Sequence, residues 1–274
     1  MKDYALYIMK KLFVLLLPLY LLTGCTQYAK VQKSMDFDYK YELAKAYYME
    51  EEYSQASSLL EGVLAFTKGT MFAEEALYML SMCYFQMNDY VTASSYFTTY
   101  YNTYPRGVYA EAARFMSARA LFLDTPDPRL DQTSTIKAIG EIRVFTEYYP
   151  YSKYREQANE MLYELHDRLV EKEYGAAKLY YDLGNYMGNN YQSCIITAQN
   201  ALNDYPYTKL REELSILILR ARYGMAKESI QEKMMDRYRD TEDEYYAFKN
   251  EFPESKYMKE ADKIYRDTQK ALKK

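Results

Sequence analysis

The feature that most constrains this chain is a helix stop that recurs at fixed distances from the same three residues. Counting back from Pro105, Phe97 stands at eight residues, Ala93 at twelve and Tyr90 at fifteen. The same offsets from Pro150 reach Ile142, Ala138 and Thr135; from Pro206 they reach Ala198, Cys194 and Tyr191, and from Pro253 Tyr245, Thr241 and Tyr238. A first copy has Leu60, Ala56 and Tyr53 in register, with Lys68 in the proline's place before Gly69. Separations of three, four and seven residues put the three side chains on one helical face. The small residue lets a partner helix approach, and the bulkier ones fill the space beside it. Proline ends the helix because it has no N–H and clashes with the preceding turn. Gly107, Ser152, Thr208 and Ser255 follow as predicted caps of the next helices. Glu111, Glu156, Glu212 and Glu260 come next, where a helix dipole favours negative charge.

A partner helix precedes each of the first two copies. Leu43-Ala44-x-x-Tyr47 and Leu80-Ser81-x-x-Tyr84 have the spacing of L-G-x-x-Y, and with the A-x-x-x-F…P half they resemble the tetratricopeptide repeat. The expected fold is an all-α tetratricopeptide-repeat solenoid of about five helix pairs, with an extra linking helix and a C-terminal capping helix. Composition agrees: 9 glycines, no tryptophan and 35 tyrosines in 274 residues suit a thin helical core with half-buried rings. The predicted pairs are 36–50 with 53–66, 70–87 with 90–104, and 107–123 with 131–149. The interval from Pro150 to Pro206 is too long for one pair, so an extra helix is predicted at 152–170, running into 172–187 and then 190–205. A fifth pair is 208–225 with 228–250, and a lysine-rich helix at 255–273 caps the array.

Residues 1–24 read as a lipoprotein signal peptide. Lys10 and Lys11 precede an apolar run, Leu12 to Leu22, which is too short to span a bilayer. Met9 is an alternative start. Leu22-Thr23-Gly24-Cys25 looks like a lipobox, which makes Cys25 the lipidation site and the membrane anchor. Residues 25–35 form a polar tether, 36–150 the first three repeats, and 151–274 the linking helix, repeats four and five, and the cap.

The chemistry-bearing residues argue against an enzyme. His166 is the only histidine, and no glycine-rich phosphate loop is present. Cys83 and Cys194 fall in different repeats and read as packed thiols. Glu74-Glu75 and Glu212-Glu213 read as solvated first-turn acids, and Gly184 and Gly188 as an inter-helix turn. A formal charge of −4 without a basic block gives no support to nucleic-acid binding. No cofactor or metal is expected beyond a covalent lipid on Cys25. Tyr41, Tyr47, Tyr48, Tyr78 and Tyr84, on the first helices of repeats one and two, are the candidate lining of a peptide-binding groove.

The chain from Cys25 onward resembles the BamD family, tetratricopeptide-repeat lipoproteins of the outer-membrane β-barrel assembly (BAM) complex. The resemblance is carried by Asp167-Arg168-Leu169, Lys172, Tyr174, Ala177, Tyr180-Tyr181, Gly184 and Asn203-Asp204-Tyr205-Pro206 with Thr208. Phe72-Ala73-Glu74-Glu75-Ala76 is a second element. One departure is that no basic residue lies between Tyr191 and Asn203. The resemblance implies a scaffold on the periplasmic side of the outer membrane. Its implied partners are the POTRA region of the barrel protein BamA, held by the C-terminal repeats, and unfolded outer-membrane proteins, met by the N-terminal repeats. The alternative is a tetratricopeptide lipoprotein coordinating cell-wall synthesis or division, which a trimerising coiled coil would favour. A glycan-binding lipoprotein of this kind would use tryptophan platforms.

Overall fold

The structure is a computed structural model, and it describes residues 28, 30–66 and 71–273. The signal peptide, Cys25, Lys68 and Gly69 lie outside the described residues. Among the described residues there are helices and no strand. In chain order the helices are α1 (Phe37–Met49), α2 (Tyr53–Phe66), α3 (Met71–Gln86), α4 (Tyr90–Thr103), α5 (Ala110–Leu123), α6 (Thr133–Tyr148), α7 (Arg155–Leu183), α8 (Asn190–Asp204), α9 (Arg211–Lys227), α10 (Gln231–Glu251) and α11 (Met258–Leu272). From α1 to α5, and again from α7 to α11, each helix packs on the next in the manner of tetratricopeptide helix pairs.

Two kinds of turn make the pairs. Within a pair, α1 closes on Glu51, whose φ is 62°; the N–H of Glu52 donates to the Tyr47 carbonyl and that of Glu51 to Tyr48. Asn88 repeats this after α3 with φ 62°, Asp89 donating to Tyr84 and Asn88 to Phe85. These are Schellman closures, and the left-handed residue reverses the chain in the fewest steps. Asp89 then caps α4 by accepting from the Thr92 N–H.

Between pairs, the residue before each proline ends the helix. Tyr104, Tyr149, Tyr205 and Phe252 donate N–H to the carbonyls of Tyr100, Phe145, Ala201 and Phe248. Gly107, Ser152, Thr208 and Ser255 then donate back to the carbonyls of Tyr104, Tyr149, Tyr205 and Phe252. The four predicted caps are therefore turn residues, and the next helices begin three residues later, at Ala110, Arg155, Arg211 and Met258. The reason is the fixed φ of proline, which favours the second position of a β-turn, so the residue two further on closes that turn. Thr208 and Ser255 use their hydroxyls to accept from the N–H groups of Leu210 and Tyr257.

The spaced residues behave as their face requires. Ala56, Ala93, Ala138, Cys194 and Thr241 are all completely buried, as are Leu60, Phe97, Ile142 and Ala198, and Tyr245 nearly so. The segments predicted at 152–170 and 172–187 run together as one helix: α7 is unbroken for 29 residues. Val170, Glu171 and Lys172 are ordinary helix residues, and Gly175 is exposed, so nothing stops the helix before Gly184, where φ is 54°.

The chain divides into two compact units. One runs to Asp124 and includes Val144–Ser152; the other comprises Thr125–Arg143 and Lys153 onward. In the first, α1 to α3 close around Tyr41, Ala44, Leu59, Leu60, Val63, Leu80 and Cys83. Phe115 of α5 meets Phe145 at 5.4 Å. In the second, Val170 and Ala177 of α7 join Cys194, Ile195 and Ala198 of α8 and Leu214, Leu217 and Ile218 of α9. Ile216 and Leu219 on the other side of α9 meet Tyr245, Phe248 and Ile264 of α10 and α11.

The tether expected at 25–35 is not all free chain. Tyr28 packs edge-on against Tyr47 at 5.8 Å, Val31 belongs to the first core with 5% exposure, and Gln32 donates to the Ser58 hydroxyl at 3.1 Å.

Candidate peptide-binding surface

The five candidate tyrosines lie in the first unit, and the structure separates one from the rest. Tyr41 is a core residue at 2% exposure, against Phe72 at 5.1 Å, with its hydroxyl donating to Glu75 at 2.6 Å. Its position on α1 faces α3, and the neighbouring pair covers it. Tyr47, Tyr48, Tyr78 and Tyr84 are half-buried. Each packs against a ring outside the set. Tyr47 meets Tyr28, Tyr48 meets Tyr53 at 5.7 Å, Tyr78 stacks on Tyr109 at 4.4 Å, and Tyr84 stacks on Tyr96 at 5.3 Å. The Tyr84 hydroxyl donates to Glu61 at 2.5 Å.

Burial, then the neighbouring carboxylates, holds the Tyr41 and Tyr84 phenols well above the usual tyrosine range, through Glu75 and Glu61 respectively. Burial likewise raises Tyr47 and Tyr48. The phenols of Tyr41 and Tyr84 stay protonated and act as donors, to Glu75 and Glu61. Half-exposed rings with donor hydroxyls and carboxylates beside them can hold a peptide by stacking and by hydrogen bonds to its backbone carbonyls.

The acids differ from the solvated surface expected of them. Glu74 accepts the Tyr100 hydroxyl at 2.6 Å and the Val108 N–H at 2.8 Å, and Tyr100 in turn accepts from the Tyr109 N–H at 3.1 Å. Glu111 does the same one repeat later, accepting from the Ser152 hydroxyl at 2.5 Å. In the second unit Asp167 accepts from the Thr208 hydroxyl at 2.9 Å and the Lys209 N–H at 3.2 Å, and Glu213 pairs with Lys256 at 2.9 Å. In each case an acid on the first helix of one pair holds the turn that opens the next. The sequence signal was available as a carboxylate about one repeat before each post-proline turn. Single-helix reasoning assigns those acids to the dipole and looks no further.

The run that carried the resemblance is largely scaffolding of this kind. Besides Asp167, Arg168 on α7 donates to Glu164 at 2.7 Å and to the Thr125 hydroxyl, pinning the Thr125-Pro126-Asp127-Pro128 loop. His166 lines a cavity of about 570 Å³ with Arg143, Lys172, Asn200 and Tyr205. Burial, then the adjacent Arg143 guanidinium at 3.3 Å, pushes the imidazole below its ordinary value, so it is neutral at pH 7. Cys83 and Cys194 are free, buried and pushed up to about 12 by burial, which leaves neither a thiolate nucleophile. Among the described residues no group of three His, Cys, Asp or Glu side chains is placed to hold a metal, and no helix is long and apolar enough to cross a membrane.

Comparison with known proteins agrees with this architecture. A protein of Aquifex aeolicus (strain VF5), assigned as outer membrane protein assembly factor BamD, is 25% identical over 175 residues. That alignment covers 63% of this chain and 57% of the relative, so the chain matches little more than half of that protein's length. The family described as YfiO, outer membrane lipoprotein, matches residues 33–235, which take in every helix from α1 to α9 and the start of α10. On that span the chain belongs to the YfiO family of outer membrane lipoproteins.

Proposed function

We propose that this protein is an assembly factor of the outer membrane: a non-catalytic helical scaffold, lipid-anchored through Cys25 at the periplasmic face, that holds client polypeptides. The observation that carries the reading is the family match over residues 33–235, joined to repeat pairs of the peptide-binding type. In this reading the half-exposed rings of Tyr47, Tyr48, Tyr78 and Tyr84 receive an extended segment of an unfolded outer-membrane β-barrel protein, with Tyr41 supporting them from the core. The second unit holds a BamA-like POTRA partner. Anchoring and positioning need no cofactor other than the lipid on Cys25.

The test follows from the burial. Replacing all four rings by alanine would hollow the core, so the informative variant removes only hydroxyls: Tyr47→Phe, Tyr48→Phe, Tyr78→Phe and Tyr84→Phe together. Affinity for a peptide from the C-terminal strand of an outer-membrane β-barrel protein should fall about tenfold, corresponding to roughly one or two lost hydrogen bonds, with the helical spectrum retained. Unchanged affinity in a folded variant would move the client site elsewhere. Co-purification of a POTRA-bearing barrel protein from detergent-solubilised envelopes tests the partner, and recovery of cell-wall synthases instead would favour the cell-envelope alternative.

A further inference from the structure

We propose that the segment from Tyr28 to Met35 docks the first repeat pair on anionic phospholipid headgroups of the same bilayer that holds the Cys25 lipid; this rests on reading Cys25 as the anchor. Tyr28, Val31 and Gln32 are fixed to the fold. The Tyr28 ring lies on Tyr47, Val31 is buried among α1 and α2 residues, and Gln32 bonds Ser58 of α2. Ser34 then accepts from the Asp36 N–H, and Asp36 caps α1 by accepting from the Tyr39 N–H. Only three peptide links separate Cys25 from Tyr28, and three links reach at most about 11 Å in any conformation. A leash of that length puts the Tyr28 turn within reach of the headgroups wherever the acyl chains are inserted.

What that turn presents outward suits such a surface. Lys30, Lys33 and Met35 are exposed, Met35 at 74%, and neither lysine forms an ion pair with a described residue. Among the acids that follow, Asp36 is engaged in the α1 cap, and Asp38 is exposed. Two lysines and one thioether bind a membrane weakly by themselves. Held by a short leash they act at high effective concentration, so a weak contact is well populated. The consequence is an orientation: the pair carrying Tyr47 and Tyr48 sits at the bilayer surface rather than reaching freely into solution.

The chain contains no tryptophan, so Met35→Trp places a single reporter on the segment. The full acylated chain is reconstituted in vesicles of phosphatidylcholine with or without phosphatidylglycerol, each carrying a nitroxide on a fraction of the headgroups. Emission from Met35→Trp should be quenched in both. A twenty-residue Gly/Ser insertion between Thr26 and Gln27, with a root-mean-square span of about 25 Å, should halve the quenching or more in phosphatidylcholine. With phosphatidylglycerol present the insertion should leave most of it, until Lys30→Glu and Lys33→Glu are added. Absence of quenching at the natural leash length, or equal loss in both lipids on insertion, overturns the docking. Mass analysis of the Cys25 peptide is read separately: an acylated peptide with no quenching refutes the docking alone, whereas an unmodified thiol refutes the anchor and the docking with it.

Discussion

The carboxylate latch between repeat pairs can be tested at Glu74. One of its oxygens accepts two bonds, from the Tyr100 hydroxyl at 2.6 Å and from the Val108 N–H at 2.8 Å. These two donors differ in what replaces the carboxylate when Glu74→Ala removes it. Val108 is 86% exposed, so water takes its N–H at little cost, whereas Tyr100 has no exposed surface and its O–H is left without an acceptor. An orphaned buried donor costs about 1–3 kcal/mol, and a bond to a charged acceptor contributes about 1.5–3 kcal/mol, the two overlapping rather than adding. The expected loss is therefore about 2–3 kcal/mol, and Glu74→Gln, which keeps an acceptor oxygen, should lose about half as much. Tyr100→Phe removes the other partner and also the acceptor for the Tyr109 N–H. In a double-mutant cycle the two should couple by about 1–2 kcal/mol. Urea titration gives the free energies, and amide exchange locates them: protection should fall from α3 to α5 and remain in α8 to α11. A cost below about 0.5 kcal/mol for Glu74→Ala, or strict additivity with Tyr100→Phe, would refute the latch.

Two further outcomes follow from the same packing. Tyr41, Tyr84 and Tyr100 are held above the ordinary tyrosine value, first by burial and then by Glu75, Glu61 and Glu74, and Tyr191 is pushed up to about 12 by burial and then Glu228. The folded chain thus keeps protons that the unfolded chain releases near pH 10, so the urea midpoint should be flat to about pH 9 and fall steadily above pH 10; a midpoint that holds to pH 11 would contradict it. Gly224 lies within α9, where alanine normally stabilises a helix by about 1 kcal/mol, but an added Cβ would stand 2.7 Å from the Tyr191 ring. Gly224→Ala should destabilise by about 1–3 kcal/mol, and should turn neutral or stabilising, by denaturant titration, once Tyr191→Ala has opened the space.

Much of the fold was legible because its signals are local. The small-residue positions Ala56, Ala93, Ala138, Cys194 and Thr241 could be placed on a buried face by counting along one helix, and all five are buried. The prolines marked helix ends correctly, although the residue two positions on proved to be a turn residue instead of a cap. The division into 152–170 and 172–187 rested on the length of the interval, not on a breaker, and without one the two run on as α7. Of the candidate surface, the tyrosines on α1 and α3 could be named from their spacing, but counting could not divide the core ring of Tyr41 from the half-exposed rings of Tyr47, Tyr48, Tyr78 and Tyr84.

By itself, then, the sequence determined the helix pairs, the face each buries and where proline ends a helix, because these depend on contacts three, four and seven residues apart and on the backbone limits of proline. The tertiary structure alone decided which acid meets which turn, from Glu74 to Val108 and from Asp167 to Thr208, across separations of 34 and 41 residues. It also decided that Tyr28 and Val31 leave the tether for the core. Contacts at that range depend on which helical faces come together, and that is settled by packing between pairs and not by any period within one.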